Sequence, residues 1–157
     1  MTIDSEAVAV LLAGGAFVAL WLAISYAISY QIGWPALTRV YRATRPFRGE
    51  RVRVRHAQFR RSLGGGLNNA LSIGVNAEGI ELHMFILFSI NCPRLFVPWR
   101  ELRVSRGRWW RWSYVEFEFA QVPDGSLRIF GAAGERLREA AGAAWPERPA
   151  PIDPIRR

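Results

Sequence analysis

The feature that most constrains this chain is a long uncharged stretch near its N-terminus. From Ala7 to Leu37 no residue is charged, and residues 7–32 read AVAVLLAGGAFVALWLAISYAISYQI. As a helix this segment measures about 39 Å, against a bilayer hydrocarbon core of about 30 Å. A secretory signal peptide would start with a positive region and carry a shorter apolar core, whereas this start is acidic at Asp4 and Glu6. We therefore predict one uncleaved transmembrane helix over residues 7–32, preceded by a short external tail over residues 1–6.

The arginines that follow the helix predict its orientation. They lie at positions 39, 42, 45, 48 and 51, whereas no basic residue precedes the helix. Because basic residues are retained on the cytoplasmic side of membranes, we expect the N-terminus outside and the rest of the chain in the cytoplasm. Tyr26, Tyr30 and Trp34 would form an aromatic belt at the inner boundary.

One face of the predicted helix carries small side chains at every fourth position. They are Gly15, Ala19, Ala23 and Ala27. Small residues let helix backbones approach closely in lipid, so this stripe is a candidate interface with a partner helix. The alternative is chance, because Ala is abundant throughout the chain.

Residues 33–48 predict a second, short helix and a linker. Gly33 suits a helix end and Pro35 suits a helix start, so we expect a break between them. Apolar residues then recur at helical spacing, with Arg39 and Arg42 on the opposite side, which favours a helix lying on the inner leaflet. In that interpretation Trp34, Arg39 and Arg42 contact the membrane surface or a partner. The alternative is that Leu37 and Tyr41 cap a soluble core.

From residue 49 the apolar period changes to two, which indicates half-buried strands. Seven strands are predicted, around Val52–Val54 and over Leu71–Val75, Ile80–Met84, Leu95–Trp99, Leu102–Arg106, Ser113–Ala120 and Ser126–Phe130. Helical spacing returns from Ala132 to Trp145. The sequence therefore predicts a mainly β domain over residues 49–145, with a C-terminal helix and a Pro-rich tail over residues 146–157.

Three segments resemble the pleckstrin-homology-like (PH-like) superfold in its bacterial and GRAM-like versions. They are LSIGVNAEGIEL from Leu71, LFVPWREL from Leu95 and LRIFGAAGERLREAAGAAW from Leu127. The resemblance implies a seven-stranded barrel closed by a C-terminal helix. It also implies a candidate lipid-headgroup site on the first hairpin, at Arg53, Arg55, Arg60 and Arg61. The chain further resembles a group of single-pass bacterial proteins with a Gly-Trp after the helix, which implies the bacterial inner membrane.

The sequence offers little for catalysis. His56, His83 and Cys92 are the only soft metal ligands, and they lack the paired spacing of zinc sites. A single cysteine also excludes an internal disulfide. Glu116 and Glu118 share one face of a strand, which we interpret as solvent-exposed. We predict no catalytic residue, no cofactor, no metal and no small-molecule substrate.

The segment Arg106–Trp112 packs three Arg and three Trp into seven residues: Arg106, Arg108, Trp109, Trp110, Arg111 and Trp112 surround one Gly. Such a composition suits a membrane interface, a protein interface or single-stranded nucleic acid. The alternative is a hairpin that completes the core, with Trp110 and Trp112 on one face and Trp109 opposite.

All 21 basic residues are Arg, and the net charge is +8. Such a bias indicates a GC-rich genome at least as much as a binding requirement, and we expect no nucleic-acid partner. We predict a non-enzymatic accessory or scaffold subunit that binds other membrane-protein subunits through its helix and its β domain. The alternative is a domain that senses anionic lipids at the inner leaflet. Both functions place anionic lipids beside the domain.

Overall fold

The structure is a computed structural model that describes residues 5–60, 66–123 and 125–146. Three predictions lie wholly or partly outside these residues. They are the headgroup contact of Arg61, the start of the tail at residues 1–4 and the Pro-rich tail from residue 147.

Two helices open the described chain. Helix α1 runs over Ser5–Gln31 and helix α2 over Trp34–Tyr41. Gly33 lies between them with a φ of 77°, a left-handed conformation that glycine adopts without steric cost and that turns the chain sharply. By length and composition α1 is able to cross a membrane, because its most apolar window has a mean hydropathy of 2.5; none of that window is buried by the rest of the chain. The predicted helix and the predicted break are confirmed, whereas membrane crossing stays a prediction.

Seven strands and a third helix follow, as the alternation predicted. The strands are β1 Glu50–Phe59, β2 Gly66–Val75, β3 Gly79–Met84, β4 Leu95–Pro98, β5 Leu102–Trp109, β6 Trp112–Phe119 and β7 Ser126–Phe130. Helix α3 covers Ala132–Ala141. Short 3-10 turns occupy Ile86–Phe88, Trp99–Glu101 and Gly142–Ala144. Because the last of these turns follows Ala141, α3 ends a few residues before the predicted end at Trp145.

The strands form one antiparallel sheet in the order β4-β3-β2-β1-β7-β6-β5. Strand β1 joins the two halves, because it pairs with β2 along most of its length and with β7 over Ala57–Phe59. The sheet curls on itself. The indole of Trp145 shows this, because it contacts both Trp99, next to edge strand β4, and Phe117 of β6 at centroid distances of 5.8 Å.

The core lies inside this curled sheet, and alternate strand residues face it. Val52 and Val54 of β1 are buried between exposed arginines, and Leu127 and Ile129 of β7 are completely buried. Helix α3 packs on β1, β2 and β7 and buries Leu137 against them. This burial follows from the apolar face that the sequence predicted for the helix.

Helix α2 belongs to the core, which corrects the expectation that Trp34 contacts the membrane surface. The Trp34 side chain is 0% exposed and packs edge-on against Phe59 at 5.8 Å. Leu37 and Tyr41 are also buried, and Tyr41 contacts Phe119 of β6. An amphipathic helix buries its apolar face on a neighbouring apolar surface, and here that surface is formed by Phe59 of β1, Phe119 of β6 and strand β4. The core-capping alternative is therefore the one that the structure supports.

Candidate functional site

Helix α1 presents two different faces. The last part of the helix is shielded along one side, where Ser25 and Ser29 are buried and Ile28 is half-buried against the core. The predicted stripe of small residues at positions 15, 19, 23 and 27 is exposed throughout. At about 100° per residue the two sets centre on roughly opposite sides of the helix. The stripe is thus accessible to a partner helix, and its role as an interface stays a prediction.

Among the described residues, the arginines assigned to a lipid headgroup do not all lie together. Arg53 and Arg55 are exposed on the outer side of β1, whereas Arg60 follows the end of that strand. Seven residues of extended chain separate Arg53 from Arg60, a distance of about 23 Å. In addition, a guanidinium nitrogen of Arg60 lies 3.5 Å from the buried carboxylate of Glu116. Headgroup binding stays a prediction, but these three residues do not form one pocket.

The segment Arg106–Trp112 forms the tip of the β5–β6 hairpin and is exposed. Trp109, Trp110 and Trp112 are 67%, 82% and 53% exposed, so this hairpin does not complete the core. Trp109 pairs directly with Trp112, and Trp110 and Arg111 form a two-residue turn between them. The expected grouping of Trp110 with Trp112 is therefore wrong. The turn interrupts the period of two and places Trp109 and Trp112 on the same face.

Trp110 adopts a φ of 53°. A bulky side chain in this left-handed region is an outlier, because glycine or asparagine normally occupies such turn positions. Backbone strain of this kind persists only where the surrounding structure or a function maintains it. Here the turn leaves the Trp110 indole 82% exposed.

An aromatic ladder continues from the hairpin along the outer face of the sheet. The ring of Phe130 lies 6.5 Å from Trp109 and 5.9 Å from Tyr114. Gly107 makes room for Tyr114, because a Cβ there would collide with the phenol ring. The guanidinium of Arg128 stacks 4.7 Å from the centre of that ring. The Trp hairpin and this ladder form a continuous aromatic surface.

The three arginines of the hairpin differ in their surroundings. Arg106 lies 3.7 Å from Glu135 and links the hairpin to α3. For Arg108 and Arg111 the described residues provide no carboxylate within ion-pair distance, and both are exposed. Free positive charge therefore surrounds the exposed tryptophans. We call Arg108–Trp112 with Tyr114 and Phe130 the aromatic-arginine surface.

This surface lies far from α2. Phe119 ends β6 and contacts Tyr41, whereas Trp112 begins the same strand. The eight residues of β6 extend over about 23 Å. The hairpin tip is consequently at the other end of the strand from the helices that would attach the chain to a membrane.

The outer face of β6 also holds a buried carboxylate, which corrects the expectation for Glu116. Ser126 donates a hydrogen bond of 2.6 Å to Glu116, and Arg128 donates one of 3.1 Å. Glu116 is buried, while Glu118 two residues later is exposed as predicted. Partners on the neighbouring strand β7 cover Glu116, and a period-two pattern does not report neighbours of that kind.

A second buried carboxylate lies on β3. Arg51 donates a hydrogen bond of 2.8 Å to Glu81, whose other oxygen has no hydrogen-bond partner among the described residues. The nearby linker crosses the sheet, where Phe47 contacts Phe96 and Arg51. On the same strand, burial lowers the pKa of His83, and the positive charges of Arg51 and Arg94 lower it further. The negative charge of Glu81 acts in the other direction and raises this pKa.

One exposed apolar segment was missed by the sequence reasoning. Phe85, Ile86, Leu87 and Phe88 connect β3 to β4 and are all exposed. The run MFILF continues the apolar character of β3, so the period-two alternation does not show that the strand ends at Met84. An apolar run of this length without any charge is the feature that would have identified it.

The exposed aromatic, arginine and apolar side chains described above are chemically suited to binding another molecule. Among residues 5–60, 66–123 and 125–146, no group of three His, Cys, Asp or Glu side chains is placed to hold a metal ion. Cys92 is buried, and burial raises the pKa of its thiol to about 12, which disfavours a nucleophilic role. Searches against protein-family models, curated proteins and solved structures found no match to this chain.

Proposed function

We propose that this protein is a non-enzymatic, membrane-anchored adaptor that holds another protein through its aromatic-arginine surface. The observation that carries the proposal is the exposure of three tryptophans on one hairpin, at 67%, 82% and 53%. Tryptophan and arginine dominate the binding energy of protein interfaces. The partner surface would be acidic and apolar, to match Arg108, Arg111 and the indole rings.

The anchoring part of the proposal rests on α1. The helix is uncharged from Ala7 to its end and is exposed over its apolar window. A core helix would be covered by protein, and the exposure of α1 argues against that role. The arginines that follow α1 support a cytoplasmic β domain at a bacterial inner membrane.

The position of the hairpin favours a protein partner over a lipid one. Membrane attachment through α1 brings the α2 end of the sheet to the bilayer, and β6 leads from that end to the hairpin. The aromatic-arginine surface is then directed toward the cytoplasm. Because a transmembrane helix already gives stable attachment, further lipid affinity at the hairpin adds nothing to localisation.

We further propose that the fold is PH-like. The support is the sequential antiparallel order with β1 joining β7, and a C-terminal helix packed on β1, β2 and β7. Strands β1, β3 and β6 all end on the side of the sheet that α2 covers. Fold alone assigns no function, so this similarity carries no weight for the partner.

Sensing of anionic lipid is the second candidate. Its support is the exposure of Arg39 and Arg42 close to the end of α1, where they would meet the inner leaflet. Each such arginine contributes about 1 kcal/mol at an anionic surface. We propose that this attraction orients the domain while the aromatic-arginine surface selects the partner.

The orientation is tested by cysteine labelling in a Cys92→Ala background. Ser5→Cys and Ala143→Cys introduce thiols at exposed positions on either side of the expected membrane. An impermeant maleimide should label Ser5→Cys on spheroplasts and should reach Ala143→Cys only after lysis. Labelling of Ala143→Cys on intact spheroplasts would contradict the cytoplasmic placement.

The adaptor role is tested by purification from native membranes in mild detergent. Trp110→Ala with Arg111→Ala should lower the recovery of co-purifying chains at least tenfold, because it removes the most exposed indole and a free charge. Arg100→Ala with Arg136→Ala removes two exposed charges elsewhere and should leave recovery unchanged. Equal recovery with the hairpin variant and the parent, or no specific partner with either, would contradict the proposal.

A further inference from the structure

The β3–β4 connection exposes a compact apolar surface. Phe85, Ile86, Leu87 and Phe88 are 47%, 73%, 52% and 37% exposed, and the 3-10 turn Ile86–Phe88 holds them together. No charged residue occurs between His83 and Arg94. Four adjacent large apolar side chains on a soluble surface are unusual and indicate contact with a partner or a membrane.

This connection is attached to α1. Asn91 donates a hydrogen bond of 2.9 Å to the hydroxyl of Ser29, and the Ser29 side chain is completely buried. Phe88 lines a small apolar cavity with Ile28 and Ile32. The apolar surface therefore lies beside the last turns of the helix that would span the bilayer.

The position of Ser29 along α1 indicates how far this contact would lie from the hydrocarbon core of the membrane. If the hydrocarbon core begins just after Glu6, about 20 residues cross it, and the inner boundary falls near Tyr26. Ser29 then lies about 4.5 Å beyond that boundary, at about 1.5 Å per residue. The headgroup zone is about 5–7 Å thick on each side, so a side chain that extends from this level toward the membrane reaches the acyl chains.

Basic residues lie at the same end of the sheet as the apolar segment. Arg94 follows the connection in sequence, and Arg60 lies at the end of β1, where it also approaches the Glu116 carboxylate at 3.5 Å; both side chains are exposed. Guanidinium groups suit the phosphates of lipids, while the apolar side chains suit the layer beneath. Exposed apolar side chains with basic charge nearby are typical of surfaces that insert partly into a bilayer.

We infer that Phe85–Phe88 inserts into the inner leaflet beside α1 and forms a second membrane contact. The inference rests on the proposed membrane span of α1. The occupant of this surface is the bilayer itself, because the surface is continuous with a helix of the same proposed environment. The second contact restrains the β domain from tilting away from the lipid surface.

The test measures the depth of spin labels on the full chain in phosphatidylcholine and phosphatidylglycerol nanodiscs, in a Cys92→Ala background. Labels are placed separately at Ile86, Leu87, Val18 in α1 and Arg100 on the soluble surface; all four positions are exposed. Oxygen partitions into lipid, whereas a nickel chelate stays in water. Labels at Ile86 and Leu87 should show at least threefold higher ratios of oxygen to nickel accessibility than Arg100, and lower ratios than Val18.

The outcomes separate the two proposals. If Val18 is lipid-exposed while Ile86 and Leu87 match Arg100, the insertion is overturned and the anchor remains. If Ile86 and Leu87 are shielded from both reagents, protein covers the surface, and the insertion is again overturned. If Val18 is accessible to the nickel chelate, the anchor fails, and the insertion that rests on it fails as well.

Discussion

The indole Nε1–H of Trp34 donates a hydrogen bond of 3.0 Å to the backbone carbonyl of Pro93. This bond joins the second helix to the connection between β3 and β4 across 59 residues of sequence. The same indole packs edge-on against Phe59. The helical N-terminal part and the β domain therefore form one packed unit, and Trp34 is at their junction.

Trp34→Ala should lower the free energy of unfolding by about 3–5 kcal/mol, because a fully buried indole leaves a cavity. Trp110→Ala deletes an equally large but exposed side chain and should change it by less than about 0.5 kcal/mol. Chemical denaturation of the detergent-solubilised chain, followed by near-ultraviolet circular dichroism, measures both. Similar losses for the two variants would contradict the packing described for α2.

Glu116→Ala should destabilise the domain by about 3–5 kcal/mol, because Arg128 and Ser126 would lose their buried partner. Glu116→Gln keeps the shape and an acceptor oxygen and should cost about half as much. Glu118→Gln changes an exposed carboxylate on the same strand and serves as the matched control. An effect of Glu118→Gln as large as that of Glu116→Gln would show that the network does not contribute.

The stability of the domain should decrease as the pH falls from 7.5 to 5.5. The pKa of His83 is lowered in the folded state, first by burial and then by Arg51, so the unfolded chain takes up the proton first. The contribution is present above the unfolded pKa of about 6.5 and is lost as the pH falls toward the folded value.

His83→Gln should remove this part of the pH dependence. His56→Gln is the control, because His56 is exposed on β1. Denaturation midpoints at several pH values measure the slope. An unchanged slope in His83→Gln would assign the pH dependence to other groups.

Cys92 should resist maleimide in the folded protein. Burial raises the pKa of its thiol to about 12, so the reactive thiolate is scarce at neutral pH. Denaturant should expose the thiol and produce labelling within minutes. Ala143→Cys provides an exposed thiol as a positive control. Rapid labelling of native Cys92 would show that the β3–β4 connection opens.

Ala19→Ile with Ala23→Ile should weaken association of α1 with another helix at least threefold, because the larger side chains fill the groove. Ala7→Ile with Gly14→Ile makes similar changes on roughly the opposite face and is the control. A membrane two-hybrid reporter measures the association. If both pairs behave alike, the stripe is not an interface.

Local patterns were sufficient to predict most of the secondary structure. The alternation of Val52 and Val54 with arginines placed β1 correctly, and the Gly-Trp-Pro break separated α1 from α2. These signals depend only on neighbours in sequence. The small-residue stripe of α1 and the composition of the segment Arg106–Trp112 were likewise read from residues that are close in sequence.

The errors concern contacts between distant segments. Trp34 has the composition expected of an interfacial aromatic, but Phe59 and Pro93 enclose it. Glu116 follows the outward period of its strand, but Arg128 and Ser126 of the next strand cover it. The error at Trp110 has a local cause. Trp110 occupies a turn position with positive φ, where glycine or asparagine is normally found, so the residue type did not indicate a turn.

The link between α1 and α2 consists of Ile32 and Gly33 alone, and Ile32 is buried. Because this link is so short, the β domain would have little freedom to move toward or away from the membrane that α1 is proposed to span. The hairpin tip would therefore stay in a thin layer at a nearly constant height above the lipid. Encounters in such a layer are a two-dimensional search, which raises the effective concentration of partners that present their binding site at that height. Partners whose binding sites lie at another height above the lipid would not reach the hairpin, even if their side chains were complementary to it.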